Sequence, residues 1–209
     1  MSRARRAKPP PKRQTQAERR ALTIRRLTDA TVQSLLEVGY ARTTVKEICR
    51  RAKLSDGALF RFFPTLLDLI LAAAEEVARR QIAEFESRFA AANDGTEPPM
   101  VTALTVLREV CRSRTNIAFT ELLVAARTDP ALRRRLAPGI EAYQAAIRQS
   151  ADRVPGVRDL SPELRDAVVF GATHLFDREA MLHYVYPRPE EDEIRLVLAK
   201  RFAALLGAP

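Results

Sequence analysis

Glycine occurs only seven times in the 209 residues, and histidine and cysteine only twice each. Scarce glycine, few Asn-Gly or Asp-Gly pairs and few period-two runs of Val, Ile and Thr argue against strands and hairpins. Abundant Ala, Leu, Arg and Glu point instead to an all-α protein. Cys49 and Cys111 lie far apart without metal-ligand spacing and read as small buried apolar residues in a reducing compartment. His174 and His183 are nine apart on one predicted helix, do not share a face, and have no carboxylate or cysteine pattern around them, so no metal is expected. There is no Gly-rich phosphate loop and no Ser/Cys–His pairing, which disfavours an enzyme and implies no cofactor. No apolar run approaches the length of a membrane span, and the basic N-terminus is not followed by the apolar stretch of a signal peptide. These absences imply a cytoplasmic protein with no membrane partner.

What is present is positive charge, unevenly placed. The net charge is +9. Residues 1–63 carry 16 Lys/Arg against 5 Asp/Glu, whereas the rest of the chain carries 19 against 21. A basic first third on a near-neutral body suggests a polyanionic partner at that end. A solvated tail would account for residues 1–13 alone, but not for the further Arg and Lys between 19 and 61. Residues 1–16, MSRARRAKPPPKRQTQ, combine charge with three consecutive prolines and read as a disordered arm.

From Ala17 the pattern is helical. Ile24, Leu27, Thr31, Leu35 and Val38 share one face, and Gly39 suits a C-terminal cap. A short helix follows Thr44, with Thr44 and Glu47 spaced as a capping box and Val45, Ile48, Cys49 and Ala52 on one face. Ser55 caps a third helix over 55–63, stopped by Pro64. Thr65 and Asp68 start a long helix to about Ala92. Helices are then expected over 100–113, 116–127, 130–153, 162–185 and 190–206, with Pro138-Gly139 kinking or splitting the 130–153 segment.

Two short helices joined by a three-residue turn and backed by the 17–38 helix read as a helix-turn-helix. On the third helix Leu59 and Phe63 share an inner face, leaving Asp56, Gly57, Phe60, Arg61 and Phe62 outside. Gly57 leaves a bare surface for close backbone approach. "RTTVKEICRRAKLSDGALFRFFPTLLDLI", preceded by "EVGYARTTV", resembles the N-terminal domain of TetR-family transcriptional regulators over residues 20–72. The resemblance implies an all-α homodimer. Residues 17–64 would form the DNA-binding domain, and 65–209 a ligand-sensing and dimerising bundle of about six helices. It places DNA contacts on Thr43 or Thr44, Lys46, Ser55, Asp56, Gly57, Ala58, Phe60, Arg61 and Phe62. It also exposes what is missing, since the family often has Lys or a small polar residue at 56, Tyr at 60 and Lys at 66. Arg42, Lys46, Lys53, Arg61 and the arm are the cations available to compensate. Arg61 reads as a base or phosphate contact, and Asp56 as a helix-dipole residue rather than a base reader.

In the rest of the chain Val168–Val185 is apolar on nearly all sides, which suits burial on more than one face. With Glu193–Gly207 it forms the expected dimer interface, through Val168, Gly171, Ala172, Leu175, Leu198, Phe202 and Leu205, with Asp177, Arg178 and Glu179 pairing across subunits. Packing within one subunit is the alternative. Arg112, Asn116, Phe119, Glu121, Arg127, Tyr143 and His174 are candidates to line a pocket for a hydrophobic or aromatic effector.

The sequence thus points to a sequence-specific regulator on a near-palindromic double-stranded operator, a repressor released by a small-molecule effector. A constitutive or architectural DNA-binding protein is the second reading, and a helical small-molecule carrier the third. The arm, as a nonspecific phosphate binder or a minor-groove reader, makes its own prediction. Deleting residues 1–13 lowers DNA affinity and flattens its dependence on salt. Binding with an unchanged salt slope would refute that role.

Overall fold

The computed structural model describes residues 15–206. Among them are nine α-helices: α1 Gln16–Val38, α2 Val45–Ala52, α3 Asp56–Phe60, α4 Leu66–Ala92, α5 Pro99–Cys111, α6 Arg114–Ala126, α7 Pro130–Ala151, α8 Pro162–Val185 and α9 Pro189–Leu206. A single 3-10 turn, Tyr40–Arg42, links α1 to α2. The expected arm lies almost wholly outside the described residues, and Gln16 already belongs to α1.

Local chemistry sets most of the boundaries. Thr15 and Glu18 cap α1 reciprocally, and Thr65 and Asp68 do the same for α4. The box expected at Thr44 is only half made. Thr44 accepts from the Glu47 amide, but the Glu47 carboxylate turns to Arg50 and Arg51 at 2.8 and 2.6 Å. Two guanidiniums outcompete one backbone amide, because both partners of those bonds are ionised and the Arg50 pair is bidentate. Asp129 and Ser161 cap α7 and α8 ahead of Pro130 and Pro162. Pro138 neither ends nor splits α7, which runs through it. The proline lies on an exposed face, so the carbonyl it frees meets water.

Three apolar clusters organise the helices. Leu27, Ala30, Ile48, Cys49, Ala52, Leu59, Phe63 and Leu69 join α1, α2 and the α3 region to the start of α4. A central cluster joins α1 through Val32 and Leu35, α4 through Ile70 to Val77, α6 through Phe119 and Leu122, and α7 through Leu132 and Leu136. The third packs α5 against α8, α9 and Val154 and Val157 of the α7–α8 connection. Both cysteines are free and buried, as the sequence implied.

The junction between the first and second clusters is pinned by polar contacts. The Tyr40 amide donates to Glu121 Oε1 at 2.8 Å, and its hydroxyl donates to Asp129 Oδ2 at 2.9 Å. Burial and the neighbouring Asp129 push the Tyr40 phenol up to about 12, so it remains a donor at any physiological pH. Gly39, immediately before, has φ +78° and ψ 171°, a region open to glycine and costly for other residues. A Cβ there would stand 2.9 Å from Glu121 Oε1. Gly39→Ala is therefore expected to lower stability by about 1–3 kcal/mol in urea denaturation. An unchanged midpoint would show that the junction relaxes freely.

Candidate nucleic-acid interface and helical-body cavity

The helix-turn-helix is built from the inside out. Ile48 and Leu59 are fully buried, and Cys49, Ala52 and Phe63 nearly so, which fixes how α2 and α3 meet. Lys53 adopts the left-handed conformation, φ 52°, that turns the chain out of α2. Ser55 then accepts from the Ala58 amide and starts α3. The outer surface that results carries Arg42, Thr44, Lys46, Lys53, Ser55, Asp56, Gly57, Phe60 and Arg61 exposed, with Ala58 half-buried. Nothing lies within 4 Å of a Cβ built on Gly57, so the bare patch expected there is real. Lys46, Lys53 and Arg61 make no ion pair among the described residues, whereas Arg50 and Arg51 are held by Glu47 and Glu37. Those two arginines drive the half-buried Glu47 carboxyl down to about 2.

Two expected contacts are corrected. Thr43 is buried, bonded to Ser34 at 2.9 Å and to the Gly39 carbonyl, so it holds the 3-10 turn in place of facing a groove. Phe62 does not continue the outer face, because α3 ends at Phe60. Its ring folds back to pack against the first cluster, with the Arg20 guanidinium 5.5 Å from its centroid. Of the two phenylalanines beside Arg61, Phe60 is the exposed one, at 48%. Asp56 neighbours the Cys49 thiol, which burial first and then Asp56 push up to about 11. That thiol stays neutral at neutral pH.

The body holds a cavity of about 90 Å³ between α4, α5, α7 and α8. Its lining is almost wholly apolar, interrupted by Gln81, Tyr143, Ser150, Thr173 and Asp177. Behind the wall, Asn116 organises the polar end. It accepts from Gln81 Nε2 at 2.7 Å and donates to Asp177 Oδ1 and the Cys111 carbonyl, each at 2.9 Å. Tyr143 meets the Phe119 ring edge-on at 5.2 Å between centroids, and burial pushes its phenol up.

Of the pocket residues expected from sequence, Tyr143 lines this cavity, while Asn116 and Phe119 support its wall. Arg112, Arg127 and His174 do not line it. Arg112 is engaged by Glu179 at 2.7 Å and Asp192 at 2.9 Å. Arg127 is exposed at the end of α6, and His174 is exposed beside Phe170. Glu121 instead serves the Tyr40 junction. Gln81, Ser150, Thr173 and Asp177 were missed. Gln81 carried a signal, since it interrupts the apolar stripe Val77, Gln81, Phe85 at four-residue spacing.

The expected interface residues divide in two. Gly171, Leu175, Leu198, Phe202 and Leu205 are exposed, together with Val185, Ile194 and Val197. Val168 and Ala172 turn inward to the cavity. The expected cross-subunit pairing is corrected for Asp177 and Glu179, while Arg178 stays exposed. Glu179 is 1% exposed and bonds Arg108 and Arg112 of its own chain, while Asp177 bonds Asn116. Arg108 continues to Glu193, and Asp192 to His183 and Arg195, so this cluster ties α5, α8 and α9 together. Removing one partner of such a buried set costs about 3–5 kcal/mol.

Comparison with known proteins identifies the architecture. Bacterial regulatory proteins of the tetR family match residues 27–73, the reading head and the start of α4. An uncharacterized HTH-type transcriptional regulator of Mycobacterium tuberculosis is 39% identical over 194 residues, covering 93% of this chain and 97% of that one. The chain belongs to the TetR family. It is a helix-turn-helix transcriptional regulator, all-α, with a three-helix N-terminal head and a helical body. Solved structures share the fold at lower identity. A transcriptional regulator from Rhodococcus sp. Rha1 has TM-score 0.66 at 21% identity, covering 87% of this chain and 96% of that one. The multidrug binding protein EbrR, complexed with imidazole, has TM-score 0.63 at 20% identity, covering 88% and 93%. Among the described residues, no helix of the regulator is long and apolar enough to cross a membrane, and no group of three His, Cys, Asp or Glu is placed to hold a metal.

Asp177 is the carboxylate in the cavity lining. Burial raises its carboxyl above the usual range, against the lowering effects of Asn116, Cys111 and His174. A raised carboxyl in the folded state means that ionising it costs stability. The cost is absent below about pH 3.9, grows between there and the raised value, and is constant above it. Asp177→Asn keeps an acceptor for Asn116 and removes the charge. It is expected to raise Tm at pH 7 by a few degrees in calorimetry, with the gain vanishing near pH 4. A Tm gain independent of pH would mean that the charge is not the cause.

Proposed function

We propose that this regulator is a dimeric repressor that leaves a near-palindromic operator when a small apolar molecule fills the body cavity. The observation that carries the reading is the span of α4. Its Leu69 belongs to the reading-head cluster and its Gln81, Ile82 and Phe85 form one wall of the cavity. The cavity, about 90 Å³, is below the roughly 150 Å³ that holds a benzene-sized guest, so a ring-bearing effector enters by moving its walls. Protein interiors are close-packed, so a displaced α4 does not absorb the shift locally. The Tyr40 junction ties the head to α6 and α7, which gives the displacement a second route. An effector shifts the equilibrium only through its different affinity for the two head spacings, and the cavity supplies that difference.

On this reading residues 1–16 are a basic arm, 17–64 the DNA-binding domain and 65–209 the sensing and dimerising domain, with α4 sharing the cores of both. The exposed apolar side chains of α8 and α9 support the dimer, since a patch of that kind marks a protein partner. DNA contact falls to Arg42, Thr44, Lys46, Ser55, Gly57, Ala58, Phe60 and Arg61. Asp56 is a neighbour of the interface that favours the α3 N-terminus. Lys46 replaces the phosphate donors absent at 60 and 66, and Arg61 reads a base edge.

A gel shift on the protein's own upstream DNA tests the reading, with ligand-dependent release separating a sensor from a constitutive binder. Arg61→Ala should cost about 1–3 kcal/mol and relax sequence preference at one position per half-site, whereas Lys46→Ala should weaken all sequences alike and reduce the salt slope by about 1. If both variants bind as the parent does, the contact surface is wrongly placed.

A further inference from the structure

Two acceptors, Gln81 Oε1 and the Asp177 carboxylate, stand together at one end of the cavity, whose wall also carries the Tyr143 and Ser150 hydroxyls. Asn116 directs its amide nitrogen at two oxygens, Asp177 Oδ1 and the Cys111 carbonyl, which fixes the orientation of its side chain. Its own oxygen is then the acceptor that Gln81 must meet with Nε2. Gln81 Oε1 is thereby left over. It is buried, on a residue 2% exposed, and has no hydrogen-bond partner among the described residues. Gln81 and Asp177 both line the cavity, and Asn116 holds them as neighbours. No Lys, Arg or His lines it among the described residues, so nothing there balances a second negative charge.

Buried polar atoms are nearly always paired, and an orphaned acceptor beside a carboxylate in an apolar chamber is costly when empty. A guest that brings donors relieves that cost, and one that brings a positive charge also counters Asp177. We infer that the effector is a compact apolar molecule with a hydrogen-bond-donating head, an ammonium in preference to a hydroxyl, which sits between Gln81 and Asp177, and that carboxylates are rejected. This rests on the reading of the cavity as the effector site. The rest of the guest meets apolar walls, among them Phe85, Leu104, Ile147 and Val169.

Calorimetric titration of the full-length protein, free of DNA, with n-butylamine, n-butanol and butyrate tests the assignment at constant chain length. The amine is expected to bind tightest and butyrate at least about tenfold more weakly, the scale of one hydrogen bond to a charged group. Asp177→Asn should remove most of the amine's advantage over the alcohol. Gln81→Met, a second and independent variant, should weaken amine and alcohol together. Butyrate binding as well as the amine overturns the proposal. So does an amine advantage that survives Asp177→Asn, or no binding by any of the three. Operator release plays no part in these titrations, so their failure would leave the repressor reading to its own gel-shift test.

Discussion

One helix belongs to two cores at once, and the rest of the molecule depends on that sharing. The first turn of α4 places Leu69 in the reading-head cluster, and the next residues, Ile70, Ala73, Ala74 and Val77, enter the central cluster. Leu69 and Ala73 are completely buried. The head therefore cannot rotate about α4 without opening one cluster or the other, and close-packed cores resist such opening over small displacements. Farther along, the same helix reaches the cavity through Gln81 and Phe85. On the proposed reading, a rigid element with both ends committed lets a change of shape in the body become a change in the position of α3.

The polar groups of the interior follow a second logic. Arg108, Glu179 and Asp192 are removed from water and Arg112 partly so, and burying charge costs more than the pairing returns unless the geometry is good. Here the pairs are short and multiple, and they fix how α5, α8 and α9 sit against one another. The Gln81–Asn116–Asp177 set differs, because it ends on an unsatisfied acceptor and on a carboxyl whose ionisation burial disfavours. The first arrangement holds structure, and the second is open toward a guest.

Much of the fold was legible because it is written in local terms. Thr65, Asp129 and Ser161 mark helix starts by chemistry within three residues, and the observed starts of α4, α7 and α8 follow them closely, whereas Thr15, a cap of the same kind, was read as part of the arm. The inner face of the helix-turn-helix, Ile48, Ala52, Leu59 and Phe63, was set by spacing alone. The errors arose where a residue had a choice of partners. Glu47 could bond a backbone amide or two arginines, and Phe62 could continue a helix or fold back once that helix had ended. Thr43 was drawn inward by Ser34, which is nine residues away. No local rule weighs such competitions.

The sequence by itself determined the class of protein: a basic, glycine-poor chain of helices with a helix-turn-helix near one end. Those properties depend on composition, on charge and on periods of three and four, which one strand of text contains. Only the tertiary structure decided which polar groups are shared between distant helices. Tyr40 meets Asp129, Arg108 meets Glu179, and Asn116 joins Gln81 to Asp177 across separations of 35 to 89 residues. Burial makes these pairings decisive, because a polar group removed from water must find a partner wherever packing brings one. The character of the cavity, apolar with one acceptor-rich end, is a product of that packing.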